Sequence, residues 1–284
     1  MEPTNTFILV DTSYWIFYRY YAILQWWNHA KVDEPLPENH FEHEEFLEKF
    51  NKTFLESLEL FKKKLKLHKQ SKKSTLPCTI IAARDCPRKD IWRNKLYENY
   101  KGTRSQDNAF NGAPFFKAIY QNNNQKLYEA GVNHVFQFPN LEADDIIAII
   151  KQELRVKYPD SKIYIIANDH DYLQLLDGQT EIVNFQYKFL KEAKKVFDEP
   201  RKNLFYKIVL GDKSDNINPV FKKCGPKTCE KYYENNELFN DALLKEAGAR
   251  EKYELNKKLV SFEEIPRDLI TSFKAENHEV LQSL

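Results

Sequence analysis

Nine carboxylates stand where a fold could gather them: Asp11, Asp85, Glu142, Asp144, Asp145, Asp169, Asp171, Asp212 and Asp215. The densest group, Glu142-Ala143-Asp144-Asp145, runs straight into the apolar stretch Ile146–Ile150 and reads as the acidic first turn of a buried helix. One acid there complements the helix dipole, whereas three crowded together repel one another. So many carboxylates share a site only when cations neutralise them. An all-oxygen donor set favours Mg²⁺, with Mn²⁺ able to substitute, over zinc. Two such ions clamp a phosphodiester, one generating hydroxide and the other stabilising the leaving oxygen. His170, the one histidine beside the acids, is expected to pack or support rather than ligate, given that hard-cation preference.

The segments around these acids say how they meet. Phe7–Val10, Cys78–Ala83, a stretch near Val132–Phe138, Lys162–Ala167 and Glu181–Phe185 read as strands, and helical patterns lie between them. Apolar residues recur at helical spacing from Phe46 to Leu65, which predicts one helix from about Phe41 to His68. A further helix is predicted from Pro114 to Ala130. Alternating strands and helices predict an α/β fold: a central, mostly parallel twisted sheet with helices on both faces. Ligand sites in such sheets lie beyond the carboxyl ends of the strands. Asp11, Asp85, Asp169 and Asp171 all fall there, and the acidic helix begins near the same edge. After Asp198 the composition turns helical.

The net charge is only +1, but setting the nine acids aside leaves the rest of the chain at +10, which suits a polyanionic partner. Cys78, Cys86, Cys224 and Cys229 form no CxxC pair and no zinc spacing, so free thiols in a reducing compartment are expected. No signal peptide and no run of about 20 apolar residues is evident, which predicts a soluble intracellular protein that does not engage membrane.

Trp92–Arg104 interleaves basic and aromatic residues, the combination that grips single-stranded backbone while offering stacking surfaces. Lys101 and Arg104 are placed to steer a scissile phosphate toward the metals. Arg19, inside the aromatic run after Asp11, fits either a structural ion pair or a phosphate contact. The basic stretch Lys62–Lys73 reads as a solvated face. Gly225-Pro226-Lys227-Thr228 opens a helix and offers backbone N–H groups and a lysine to a phosphate.

Taken together these residues resemble the flap endonuclease/5′-nuclease family on the PIN-like fold. The likeness runs from Val10-Asp11 to about Tyr233. It rests on five motifs in family order: Asp11 at a strand end; Asp85 with Arg93 and Tyr100-Lys101-Gly102-Thr103-Arg104; Glu142-Ala143-Asp144-Asp145; Asn168-Asp169-His170-Asp171; and Gly211–Asn216 with Gly225–Thr228. The variant after Asp11 is most similar to versions in large DNA viruses and phages. The resemblance implies a nuclease core over residues 1–198 with a helical arch at about 86–130. A helix-three-turn-helix and C-terminal helical region would cover 199–284.

It further implies that Asp11, Asp85, Glu142 and Asp144 hold a first ion, and that Asp145, Asp169, Asp171, Asp212 and Asp215 serve the second or its water shell. Lys101 and Arg104 match residues that contact the scissile phosphate. Tyr100 matches a base-stacking position. Arg93, Lys222, Lys223, Gly225, Lys227 and Thr228 fall in nucleic-acid-binding motifs. A K⁺ ion on backbone carbonyls of the helix-three-turn-helix is also implied, although the hairpin Asn218–Gly225 is one residue longer than usual and lacks one glycine.

The expected partner is DNA with 5′ ends or 5′ flaps, with an RNA–DNA hybrid as a further substrate and a monomer as the working state. Val280–Leu284 carries no motif for docking on a sliding clamp. A 5′–3′ exoribonuclease or RNase H-like enzyme and a catalytically silent nucleic-acid-binding module are the competing readings. Degenerate relatives usually lose ligands, whereas every acidic position here is filled.

Overall fold

The computed structural model describes residues 5–67, 78–102 and 112–284. Its sheet contains β1 (Thr6–Asp11), β2 (Cys78–Ala83), β3 (His134–Phe136), β4 (Lys162–Ile166) and β5 (Thr180–Val183). All pairings are parallel, in the order β3-β2-β1-β4-β5. Covered on both faces, the central strand is apolar throughout Phe7–Val10, as a buried parallel strand must be. Alternation divides its side chains. Phe7 and Leu9 join Ile81, Ile163 and Ile165 against α5 (Ala143–Lys157). Ile8 and Val10 face the aromatic layer built by α1 (Thr12–Ala30), α2 (Glu44–Leu55), α3 (Ser57–Lys64) and α4 (Ala113–Glu129).

Register then fixes the edge. Asp11 pairs with Ala83 and Val10 with Ile166, so β1, β2 and β4 end at one level, with Asp11 at that edge and Asp85 and Asp169 just beyond it. The path runs from β1 through β2 to β3 on one side and returns to β4 on the other. The crevice between β1 and β4 is therefore the topological switch point.

Two helices differ from expectation. The single helix predicted over about 41–68 is two, parted at Glu56. Ser57 Oγ donates to the carbonyls of Thr53 and Phe54, back-bonding that bends a helix, while accepting the indole N–H of Trp15 at 3.0 Å. Helix α4 is interrupted at Gln121–Asn124, where three consecutive asparagines take left-handed φ of 51°, 53° and 65°. Asparagine tolerates that region better than most residues. Arg84 fastens the break, donating to Asn124 Oδ1 at 2.6 Å and lying 3.8 Å from the centre of the Tyr120 ring.

From Pro200 the chain is helical: α6 (Pro200–Leu210), α7 (Pro226–Glu234), α8 (Asn236–Lys245), α9 (Ala249–Val260), α10 (Arg267–Glu276) and α11 (His278–Ser283). Helices α6–α9 share a core around Val209, Val220, Phe221 and Phe239. Ile265 and Phe273 return to the core of the sheet. The four cysteines are free, and no helix among the described residues is long and apolar enough to cross a membrane.

Candidate metal centre

Asp11 and Asp85 are held at the strand ends by hydrogen bonds that fix their orientation. Asp11 accepts the N–H of Tyr14 at 2.9 Å, which makes it the N-cap of α1, and the Tyr172 hydroxyl at 3.0 Å. Asp85 accepts Ser13 Oγ at 2.5 Å and the N–H of Ala143, in the first turn of α5, at 2.9 Å. Burial, then the neighbouring Asp85 charge, pushes Asp11 up to about 7.

Glu142, Asp144 and Asp145 form the first cluster, each offering an oxygen within 4.8 Å of the others'. Glu142 caps α5 through a reciprocal capping box with Asp145. Burial opposes the Glu142 charge, but Lys101 and then Arg93 hold it below the usual carboxylate range; Lys101 Nζ is 2.5 Å from Oε1. Asp144 is driven the other way. Loss of water, then the charges of Glu142 and Asp145, raises it well above the ordinary value.

Asp171, Asp212 and Asp215 form the second cluster, with the same mutual reach. Gly211 makes it possible. It sits at φ 74°, and a Cβ there would lie 2.4 Å from the carbonyl oxygen of Ile217, so only glycine allows the turn that pairs Asp212 with Ile217. Lys207, from α6, projects among these acids, paired with Asp171 and 2.8 Å from Asp212 Oδ2. Burial and then Asp169 and Asp215 push Asp171 up to about 7, against the pull of Lys207. Asp212 resists the same burial and is held down at about 2 by that ammonium and by Ser214. Tyr100 and Lys101 bridge the clusters. The Tyr100 hydroxyl donates to Glu142 at 3.2 Å and Asp215 at 3.3 Å, and Lys101 Nζ lies 3.8 Å from Asp215.

Hard oxygen donors in two close sets, each already drawing in a side-chain ammonium, fit divalent cations. Two placements bear on the expected partition. Asp145 lies with Glu142 and Asp144 rather than with the second set, and Asp169 is half-exposed, its Oδ1 accepting the N–H of Asp171.

Two residues expected to touch nucleic acid are turned inward. Arg93 is 1% exposed and bonded to Asp145 and Glu142, so no strand reaches it; Tyr100, 5% exposed, packs with Ile208, Ile217 and Leu259 and offers no open face for stacking. Lys222, Lys223, Gly225 and Lys227 are exposed beside the start of α7, with Thr228 half-buried there. His170 is exposed. Arg104 and the end of the Lys62–Lys73 stretch lie outside the described residues. Lys207 went unnoticed in the sequence because a lysine near a helix C-terminus ordinarily reads as complementing the dipole. Its one signal is the five-residue spacing to Asp212.

Comparison with known proteins bears on this arrangement. The chain is 33% identical over 162 residues to a 5′-3′ exonuclease of Aquifex aeolicus, covering 55% of this chain and 52% of that protein. It is 28% identical over 192 residues to DNA polymerase I of Lactococcus lactis, covering 60% of this chain and 20% of that one. The chain thus spans about half the length of one relative and a fifth of the other. Among solved structures, a bacteriophage T5 flap endonuclease in a pseudo-enzyme-product complex with DNA and metal ions aligns with TM-score 0.62 at 16% identity, over 98% of this chain and 99% of that one. T5 5′-exonuclease with bound divalent metal ions (zinc) aligns with TM-score 0.60 at 18% identity, over the same shares. The fold is therefore PIN-like, as in these T5 nucleases. Residues 6–203 match the family described as 5′-3′ exonuclease, N-terminal resolvase-like domain, and with most of its length inside that match the chain belongs to this family.

Proposed function

We propose that the chain is a metal-dependent 5′ nuclease that hydrolyses DNA phosphodiester bonds at 5′ ends or flap junctions. The observation that carries this reading is the gathering of two carboxylate clusters at the switch point of the sheet, bridged by Lys101. Mg²⁺, with Mn²⁺ as substitute, is the ion the oxygen donors suit. Asp11, Asp85, Glu142 and Asp144 would hold one ion and Asp171, Asp212 and Asp215 the other, with Asp169 at the rim. Such a pair supplies hydroxide at neutral pH and stabilises the leaving oxygen.

The chain's own residues do the rest. Tyr172, Tyr14 and Ser13 orient Asp11 and Asp85 through hydrogen bonds that leave the carboxylates aimed beyond the sheet edge. Lys101, held at left-handed φ 55° by its N–H bond to the Asp215 carbonyl, presents its ammonium between the clusters, where a phosphate would enter. The exposed lysines at 222, 223 and 227 suit the backbone of a duplex. A nuclease core over 1–198 and a duplex-holding region from 199 belong to the same reading, as does action as a monomer.

Cleavage of a 5′-flap DNA and a blunt duplex, each labelled at the 5′ or 3′ end, with Mg²⁺ and then with EDTA, tests it. Products from the junction or the 5′ end that vanish with EDTA are expected. An RNA-containing 5′ strand cut in preference to DNA would shift the reading to an RNase H-like enzyme. Tight, salt-sensitive binding without cleavage would leave a silent binding module.

A further inference from the structure

Arg93 sits on the short 3₁₀ turn Trp92–Lys95, where the chain leaves β2 on its way to the segment preceding α4. Its side chain is buried and makes four hydrogen bonds. Nε donates to the Leu259 carbonyl at 2.8 Å; Nη1 donates to Glu142 Oε2 and Asp145 Oδ2, both at 2.8 Å; Nη2 donates to Asp145 Oδ1 at 2.7 Å. The Trp92 ring lies 4.5 Å below the guanidinium, and its indole N–H donates to Asp145 Oδ2 at 3.0 Å. Asp145 Oδ2 also accepts the backbone N–H of Glu142 at 3.2 Å.

These bonds divide the first cluster. Asp145 Oδ2 accepts three hydrogen bonds and Oδ1 one, so most of the carboxylate's accepting capacity is spent on Arg93, Trp92 and the backbone. Glu142 keeps Oε2 on Arg93 and Tyr100 and turns Oε1 outward toward Lys101. Building on the metal-dependent reading above, we infer that Arg93 is a positioning residue of the metal centre. It holds Asp145 through both oxygens and presents Glu142 Oε1, while its bond to Leu259 anchors that arrangement to the end of α9. A planar fork is required, since lysine cannot grip Asp145 with two parallel bonds and reach the Leu259 carbonyl as well. The basic–aromatic motif thus supplies the inner support of the acidic motif.

Mn²⁺ binding to the full chain without nucleic acid, read from the paramagnetic resonance of free Mn²⁺, tests this independently of turnover. Circular dichroism reports the fold alongside. Arg93→Lys is expected to keep its fold and bind Mn²⁺ about 10–100-fold more weakly, the usual loss when a ligand's supporting partner is changed. Arg93→Ala is expected to regain affinity with added guanidinium but not with methylammonium. If Arg93→Ala does not fold, Arg93→Lys decides alone. A folded Arg93→Lys with wild-type Mn²⁺ affinity overturns the inference and leaves the nuclease reading standing. Failure of the wild-type chain to bind Mn²⁺ overturns both.

Discussion

The two acidic clusters solve the same electrostatic problem with different cations. In the first, a guanidinium with 1% exposure holds Asp145 through a planar fork and cannot leave without stranding a buried charge. In the second, Lys207 places a single ammonium among Asp171, Asp212 and Asp169. Lysine is a compact point charge on a flexible stem, while arginine is a rigid, multiply bonded plane. The first cluster is therefore framed before any metal arrives, and the second is neutralised by a charge that a metal can replace.

The largest effect should come from removing a second-cluster carboxylate. Asp212→Asn takes away an acid that Lys207 and Ser214 hold in its charged form. Losing a metal-holding oxygen costs several kcal/mol of transition-state stabilisation, so single-turnover cleavage of a 5′ flap in Mg²⁺ should fall about a thousandfold. Duplex binding in Ca²⁺ should stay unchanged. Cleavage at the wild-type rate would strike the whole second cluster from the catalytic site.

Lys207→Met separates the clusters by stability. Removing one partner of a buried ion pair costs about 3 kcal/mol or more, here to the metal-free chain. Mn²⁺ should recover most of that loss in a urea titration, because the ion would enter where the ammonium was. The same titration on Arg93→Lys should show no such recovery. Equal recovery in both variants would mean that the clusters do not differ in kind.

The acids on both sides of this contrast were legible in the sequence; their counter-cations were not. Strand ends and the acidic helix start announced seven of the nine carboxylates, because apolar runs of strand length end abruptly in acids at Asp11, Asp85 and Asp169; Asp212 and Asp215, in the turn after α6, came with the family motif. What was hidden is which cation each acid meets. Arg93 lies 52 residues from Asp145, and only the crossing of the 3₁₀ turn over α5 joins them. Lys207 is likewise local to Asp212 but distant from Asp171. Local pattern reports donors at element ends, whereas long-range ion pairing depends on how elements cross. The break in α4 was hidden for a related reason: the apolar spacing of Phe115, Ile119 and Leu127 continues through three asparagines whose left-handed turn is stabilised by Arg84 from another element.

Lys101→Ala probes the bridge between the clusters. Its ammonium lies 2.5 Å from Glu142 and 3.8 Å from Asp215, so a phosphate arriving there would meet a positive charge held in place in advance. Single-turnover cleavage should slow about a hundredfold with substrate affinity little changed. An unchanged rate would remove Lys101 from the reacting centre and leave it as a counter-ion of Glu142.

The smallest effect is in protons. Asp171 is pushed up to about 7 and Asp212 is held at about 2, so near pH 6 the metal-free second cluster keeps a proton on one acid while its neighbour is charged. An unfolded aspartate loses its proton near pH 4. Between pH 4 and 7 the folded chain therefore binds more protons than the unfolded chain, and this contribution to metal-free stability falls as pH rises through that window. A cation binds the charged carboxylate, so it must expel that proton. Calorimetric titration of Mn²⁺ at pH 6, in two buffers of different ionisation enthalpy, should show protons released, and Asp171→Asn should reduce the release by about one proton. The difference between the two proteins should shrink by pH 8, where Asp171 is already charged. Equal release from both proteins at pH 6 would mean that the proton resides on Asp11 or Asp144, and that Lys207 keeps Asp171 in its charged form.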